Sequence, residues 1–226
     1  MDFRVARTRQ ELEQAFSLVY RQYLKHGFAQ ESPSGLKIPL HNALPQATTF
    51  IGISGSVVKM TATIVPDTQL GLPMDALYGQ ELKELRKRYS KLCEVVLLAS
   101  ENKENRAFSF FKVIVDFARD MIGADLMCIV VNPQYNLAYK RLLFQDLGGL
   151  KFYDRVNGAP AVAKYLEISR VKKDRLKTPV ERFKRKFIFG PEDIPHFTFE
   201  SYNPDRLQYI NKCYRRILEL RSHLTI

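Results

Sequence analysis

Tryptophan is absent from the 226 residues, and cysteine occurs only three times, at Cys93, Cys128 and Cys213. An odd count with no paired spacing excludes a disulfide framework and the repeated ligand sets of structural zinc. No metal site is therefore expected, and a reducing, cytoplasmic setting fits. No apolar run approaches the roughly 18 residues of a membrane-spanning helix, and the opening MDFRVARTRQ has no apolar h-region of a secretory signal. Helix-turn-helix, zinc-finger and RNP patterns are missing too, so the net charge of +11 comes without a motif that reads nucleic acid. What is there is a chain 46% hydrophobic, long enough for one substantial core with an appendage.

The charge is unevenly placed. Arg170 to Lys186, RVKKDRLKTPVERFKRK, holds nine Lys or Arg against Asp174 and Glu181, which is +7 of the +11. One reading is a solvated basic segment. The other is a docking surface for an acidic partner, whose approach it would steer, with weak contact to a membrane surface as a lesser role.

Along the chain, FRVA (Phe3 to Ala6) reads as a short strand. TRQE then offers a capping box, Thr8 as N-cap with Glu11 three residues on, ahead of an apolar stripe at Leu12, Ala15, Phe16, Val19, Tyr20, Tyr23 and Leu24, which predicts a helix to about His26. Residues 27–47 are rich in Gly, Pro, Ser and Asn, and a loop of that length is expected to cover a site. TTFIGIS and VVKMTATIV, joined at Gly55, predict a hairpin that Pro66 ends. A helix follows from about Asp75, as N-cap, to Arg88, then a strand from Leu92 to Ala99. RAFSFFKVIVDFARDMIG predicts a helix ending at Gly123, LMCIVV a strand covered on both faces, and NPQYNLAYKRLLFQDLGG a helix with Pro133 near its start. LKFYDRV and AVAKYLEI, around NGAP, close the order with a second hairpin. The stripe Leu207, Ile210, Tyr214, Ile217, Leu218 and His223 predicts a C-terminal helix.

Glu94 interrupts the apolar strand KLCEVVLLAS. A carboxylate there is paired, near an edge, or kept for chemistry, because leaving it unpaired in a dry interior costs several kcal/mol.

The order β, α, β, β, α, β, α, β, α, β, β resembles the GNAT-type N-acetyltransferase fold over residues 1–170: an α/β (α+β) domain with a central mixed sheet, splayed between strands 4 and 5 and covered by helices on both faces. Residues 171–226 would form a basic segment and C-terminal helix packed on or beside it. VYRQY, LPQATTF, GLPMDALY, EVVLLA and NPQYNLAYKRLL, in that order, resemble the N-acyl amino acid synthases, relatives of the acyl-homoserine lactone synthases. The lactone branch is disfavoured: Phe16 and Leu97 stand where it has arginines, and tryptophan is missing.

The resemblance implies an enzyme that moves a fatty acyl group from acyl carrier protein to the amine of an amino acid or similar small amine. Acyl-phosphopantetheine is then the co-substrate, with no permanently bound cofactor. In coenzyme A-dependent relatives a glycine-rich loop at a helix N-terminus cradles the pyrophosphate. The corresponding turn here, SENKENR, has two glutamates and no glycine, which suits a carrier protein better. By the same resemblance Glu94 is the candidate general base and Tyr139 the donor of a proton to the departing thiolate. Leu97, Leu98, Ala99, Ser100, Arg106 and Asn132 would hold the acyl-pantetheine arm, and Tyr20, Tyr23, Thr49 and Phe50 would line the acceptor or acyl pocket. Lys184, Arg185, Lys186, Lys140 and Arg141 would dock the carrier. Strand alternation puts Glu94 on one face with Leu92, Val96 and Leu98, with Cys93 opposite. The competing readings are an ion pair from Glu94 to an arginine on a neighbouring helix, a core role for Tyr139, a coenzyme A-dependent acetyltransferase, and a binding module of the same fold without turnover.

Overall fold

Thr8 and Glu11 close the capping box: the Thr8 hydroxyl accepts the Glu11 N–H at 3.2 Å, and the Glu11 carboxylate accepts the Thr8 N–H at 3.3 Å. Helix α1 (Arg9–Lys25) follows and buries Leu12, Ala15, Phe16, Leu18 and Val19. Arg4, on strand β1 (Asp2–Val5), grips the Glu11 carboxylate with both Nη atoms at 2.7 and 2.9 Å. Burial opposes ionisation of Glu11, but Arg4 and the Arg7 and Thr8 amides outweigh it and hold its pKa below the usual value.

The computed structural model describes residues 1–101 and 107–168, which fall into two compact units. The first holds Met1–Val65 and, of the described residues, 97–101. In it β1 pairs antiparallel with β2 (Thr48–Ser54), and β2 with β3 (Val57–Pro66), across a two-residue turn where Gly55 has φ 61°. Gln14 of α1 fastens this hairpin: its side chain donates to Ser56 O at 3.1 Å and accepts the Val58 N–H at 2.9 Å.

The second unit holds Pro66–Val96 and, of the described residues, 107–168. It contains α2 (Asp75–Arg86), α3 (Ala107–Phe117), β5 (Leu126–Val131), α4 (Asn136–Arg141), β6 (Gln145–Asp146), β7 (Lys151–Tyr153) and β8 (Ala159–Glu167). Strand β4 (Leu92–Ser100) gives residues 92–96 to this unit and 97–100 to the first. β4 and β5 are parallel, whereas β8 is antiparallel to β5, β6 and β7. This is a mixed α/β fold with a mixed sheet. The β4–β5 ladder runs from Leu92↔Leu126 to Val95↔Ile129. Leu97, just past the ladder, has φ 53°, a left-handed conformation that a leucine adopts at a cost of about 1–3 kcal/mol. One face of the second unit's strands is packed by α2: Leu72, Met74, Tyr78, Leu82 and Leu85 meet Leu92, Leu126, Cys128 and Ala163.

Three local expectations are corrected. The helix expected to run on from Pro133 is a 3-10 turn (Pro133–Tyr135) followed by the six residues of α4. Leu143 then turns left-handed at φ 69°, Phe144 is buried against Phe111 and Tyr139, and Gln145–Asp146 joins β8. Burial and strand pairing override local helix preference here. Asp75 is the first residue of α2 rather than its N-cap, which is Met74; its carboxylate is drawn away to Leu72 and Arg86. The alternation that put Leu98 with Glu94 is interrupted at Leu97, and Leu98 is 37% exposed. The basic segment from Arg170 to Lys186 with Lys184, Arg185 and Lys186, the C-terminal helix, Cys213 and Arg106 lie outside the described residues. Among the described residues no helix is long and apolar enough to cross a membrane, and no group of His, Cys, Asp or Glu is placed to hold a metal ion.

Candidate active site

Glu94 lies on the β4 face that α2 covers and is 2% exposed. Its Oε2 accepts the Met74 N–H at 2.8 Å, and among the described residues it enters no ion pair. Burial pushes its pKa up to about 8. The Met74 hydrogen bond and Arg155 work against that rise, while the Asp75 and Asp67 charges add to it. The alternative reading, an ion pair with a helix arginine, fails on geometry: the arginine on α2 is Arg86, and it is engaged elsewhere.

Arg86 binds two aspartates at once. Its Nε and Nη2 donate to Asp67 at 2.7 and 2.9 Å, and Nη1 and Nη2 donate to the two oxygens of Asp75. Hydrogen bonds to Asp75 and Asp67 raise the Arg86 pKa far above its ordinary value, so it is a permanent cation. Asp75 Oδ2 also accepts the Leu72 N–H at 2.7 Å, and the Asp67 N–H donates to Leu92 O on β4 at 2.9 Å. The segment GLPMD is thus tied at both ends, and Met74 N–H is held where Glu94 needs it.

Gly71 makes this possible. It has φ 72°, and a Cβ there would lie 2.6 Å from Asp75 Oδ2. Gly71→Ala is expected to cost about 1–3 kcal/mol in urea unfolding. It should cost more than Gly55→Ala, where φ is also positive but nothing lies within 4 Å of the added carbon. Equal costs would mean that Asp75 gives way freely.

Tyr139, on α4, is half-buried, its ring edge-on to Phe144 at 5.5 Å, with Phe144 in turn tilted against Phe111 at 5.7 Å. Asn132 follows β5 and caps the turn after it: its side-chain oxygen accepts the Gln134 N–H at 3.1 Å. Lys140 pairs with Asp146 at 3.1 Å, and the same carboxylate holds Lys164, which is completely buried; Arg141 is exposed. Of the candidates, then, Glu94, Tyr139, Asn132, Lys140 and Arg141 belong to the second unit.

The other described candidates belong to the first. Leu97 and Ala99 are buried, Leu98 exposed and Ser100 between. Phe50 is wholly buried, and Thr49 shares a buried hydroxyl–hydroxyl hydrogen bond of 3.0 Å with Thr63. Tyr20 and Tyr23 tether the segment after α1: the Tyr20 hydroxyl accepts the Ser32 N–H at 2.9 Å, and the Tyr23 ring stands edge-on to Phe28. Glu101, the first glutamate of the SENKENR turn, is neutralised by Arg21 at 2.6 Å and Lys59 at 3.1 Å, Arg21 first among the causes that hold its carboxyl below the usual range.

Cys93 is buried, its thiol 3.5 Å from Leu126 O, and burial first, with the Glu94 charge second, pushes its pKa far up; it is an inert core thiol. The residues around Glu94 that sequence reasoning missed are Asp67, Arg86, Tyr153 and Arg155. Their signal was present in part, as Asp67 and Arg86 on either side of GLPMDALY, but pairing of Arg86 with Asp75 and Asp67 across eleven and nineteen positions has no local periodicity.

A family model described as N-acyl amino acid synthase FeeM matches residues 14–167. The solved structure of FeeM, an N-acyl amino acid synthase from uncultured soil microbes, is 30% identical with a TM-score of 0.69, over 80% of this chain and 97% of that one. The coenzyme A-dependent acyl-homoserine lactone synthase MesI is 14% identical with a TM-score of 0.61, over 85% and 97%. An N-acetyltransferase from Staphylococcus aureus Mu50 is 10% identical at 0.51, over 74% and 97%. These last two likenesses are of fold alone. No curated protein sequence matches the chain. With the family model spanning most of its length and that degree of identity to FeeM, the chain belongs to the N-acyl amino acid synthase FeeM family of acyltransferases.

Proposed function

We propose that this enzyme transfers a fatty acyl group from the thioester of an acyl carrier protein to the amine of an amino acid or similar small amine, with Glu94 as general base and Tyr139 as the acid toward the leaving thiolate. The observation that carries the reading is Glu94: a buried carboxyl outside any ion pair of the described residues, steadied by a single backbone N–H and brought by burial to a pKa of about 8. A base of that strength is matched to work near neutral pH.

An amino acid arrives mostly as the ammonium ion. The Glu94 carboxylate accepts a proton from it, and the freed amine nitrogen attacks the thioester carbon. The C–N bond forms, the C–S bond breaks as the tetrahedral intermediate collapses, and the thiolate takes a proton from the Tyr139 hydroxyl. Tyr139 is reprotonated from solvent. Water removes the second nitrogen proton and Glu94 returns its proton to solvent, so the products are a neutral amide and a free thiol.

The choice of a carrier protein over coenzyme A rests on the missing glycines of SENKENR and on the basic stretch after residue 170. The acidity of that turn counts for less than its sequence suggests, since Arg21 and Lys59 neutralise Glu101. Acyl-carrier protein is expected to support turnover far better than the same chain on coenzyme A. That advantage should shrink with salt, because exposed charges are screened within about 10 Å at 0.1 M. Replacing Lys184, Arg185 and Lys186 by alanine should raise KM for the carrier and leave KM for the amine nearly unchanged. Equal or better use of acyl-coenzyme A would overturn the donor assignment, and no amide product from either donor would overturn the reading as a whole.

A further inference from the structure

The peptide unit between Pro73 and Met74 is engaged at both polar ends. Its N–H donates to Glu94 Oε2 at 2.8 Å. Its carbonyl oxygen accepts two hydrogen bonds, from the Tyr153 hydroxyl at 3.1 Å and from Arg155 Nη1 at 3.3 Å. No peptide here is cis, and in a trans peptide the C=O and N–H point in opposite directions. Glu94 and the Tyr153–Arg155 pair therefore stand on opposite sides of one planar group. Asp75 and Arg86 fix the segment that carries it, as described above.

We infer that Tyr153 and Arg155 are positioning residues for Glu94, acting through the Pro73–Met74 peptide rather than by contact with the carboxylate. Hydrogen bonds in series polarise one another. A guanidinium and a phenol on the carbonyl draw density to its oxygen and make the N–H a stronger donor, which favours the ionised carboxylate. This rests on the reading of Glu94 as the base. It adds that the strength of the base is set from the β7–β8 connection, in which Tyr153 ends β7 and Arg155 sits in the turn of Asp154–Val156.

The charged and titratable groups that face Glu94 are few. Asp75 comes from α2, Asp67 from the segment after β3, Tyr153 and Arg155 from the β7–β8 connection, Cys93 from its own strand, and Cys128 from the paired position on β5. Arg86 with its two aspartates sums to −1, so the positive influence on Glu94 comes from Arg155. Tyr153 is neutral, its own pKa raised by burial first, with Glu94 adding to the rise and Arg155 opposing it.

The test follows the Glu94 carboxyl itself. Protein enriched with 13C at glutamate carboxyls is titrated by NMR, with the Glu94 signal assigned by its loss in Glu94→Gln. Arg155→Met is expected to move the Glu94 midpoint up by about one pH unit, Tyr153→Phe by less, and Arg155→Lys should recover part of the shift. Unchanged midpoints in Arg155→Met and Tyr153→Phe overturn the inference. A second measurement separates the peptide route from a through-space field: an ester at position 74, made with the α-hydroxy analogue of methionine, replaces the N–H by oxygen and weakens the Pro73 carbonyl as an acceptor, so it cuts the peptide route while keeping every side chain. In that background the shift caused by Arg155→Met should fall to half or less; a shift of undiminished size overturns the peptide route. No substrate is needed, so failure to find acyl transfer leaves this test standing, and its own failure leaves the acyl-transfer assays untouched.

Discussion

Glu94→Gln should lose turnover by about 100-fold or more and yet gain stability at alkaline pH. The loss follows because glutamine keeps the size of the side chain and can still accept the Met74 N–H, but cannot take a proton from an ammonium substrate. The gain follows from linkage. In the unfolded chain the carboxyl ionises near its ordinary 4.5, whereas burial holds the proton in the native state up to about 8. Between those pH values the native protein binds more protons, so its stability falls as pH rises; below 4.5 the contribution is intact, and above about 8 it is gone. The gap corresponds to on the order of 5 kcal/mol at about 1.4 kcal/mol per pH unit. Urea unfolding of the two proteins should coincide near the acid end and diverge toward alkaline pH, with the variant more stable. The wild-type rate should rise with pH through about 8, tracking the carboxylate. A folded variant with full turnover would leave Glu94 without a part in the chemistry.

Arg86→Met is expected to be the most damaging single change for stability. It leaves Asp67 and Asp75 facing each other without their shared cation, both mostly shielded from solvent. Removing one partner of a buried, hydrogen-bonded charge set costs about 3–5 kcal/mol; with Arg86 31% exposed, about 2–3 kcal/mol is expected here. The same change should raise the pH at which the rate climbs, since both uncompensated aspartates oppose ionisation of Glu94. Adding Asp67→Asn and Asp75→Asn to Arg86→Met should return most of the lost stability, because a set removed whole leaves no buried charge behind. If the triple variant is as unstable as Arg86→Met, packing of the arginine stem, not charge, holds the segment.

The capping box of Thr8 and Glu11, the Gly55 hairpin and the parallel pairing of β4 with β5 were legible because each is written in adjacent residues or in a known order of motifs. Glu94 was legible for the opposite reason: a carboxylate in LCEVVLLAS has no local excuse. What could not be read was the shell around it. An aspartate at the head of a helix looks like an N-cap, and only the folded chain shows Asp75 reaching Arg86, eleven residues on. Tyr153 and Arg155 sit about sixty residues beyond Glu94, in a hairpin whose sequence suggests nothing but a turn. Tyr20 and Tyr23 fit a helical stripe, and the fold uses them to hold the following segment instead. Strand β6 was hidden because LLFQDL continues a helical pattern until tertiary pairing claims it.

Leu97 divides β4 into two stretches that answer to different demands. Before it, residues 92–95 are locked in register to β5, and any slip there would carry Glu94 to the wrong face. After it, the left-handed residue resets the phase of the side chains, so 98–100 carry no part of that register. A substitution at 98–100 therefore leaves the pairing that places Glu94 unchanged.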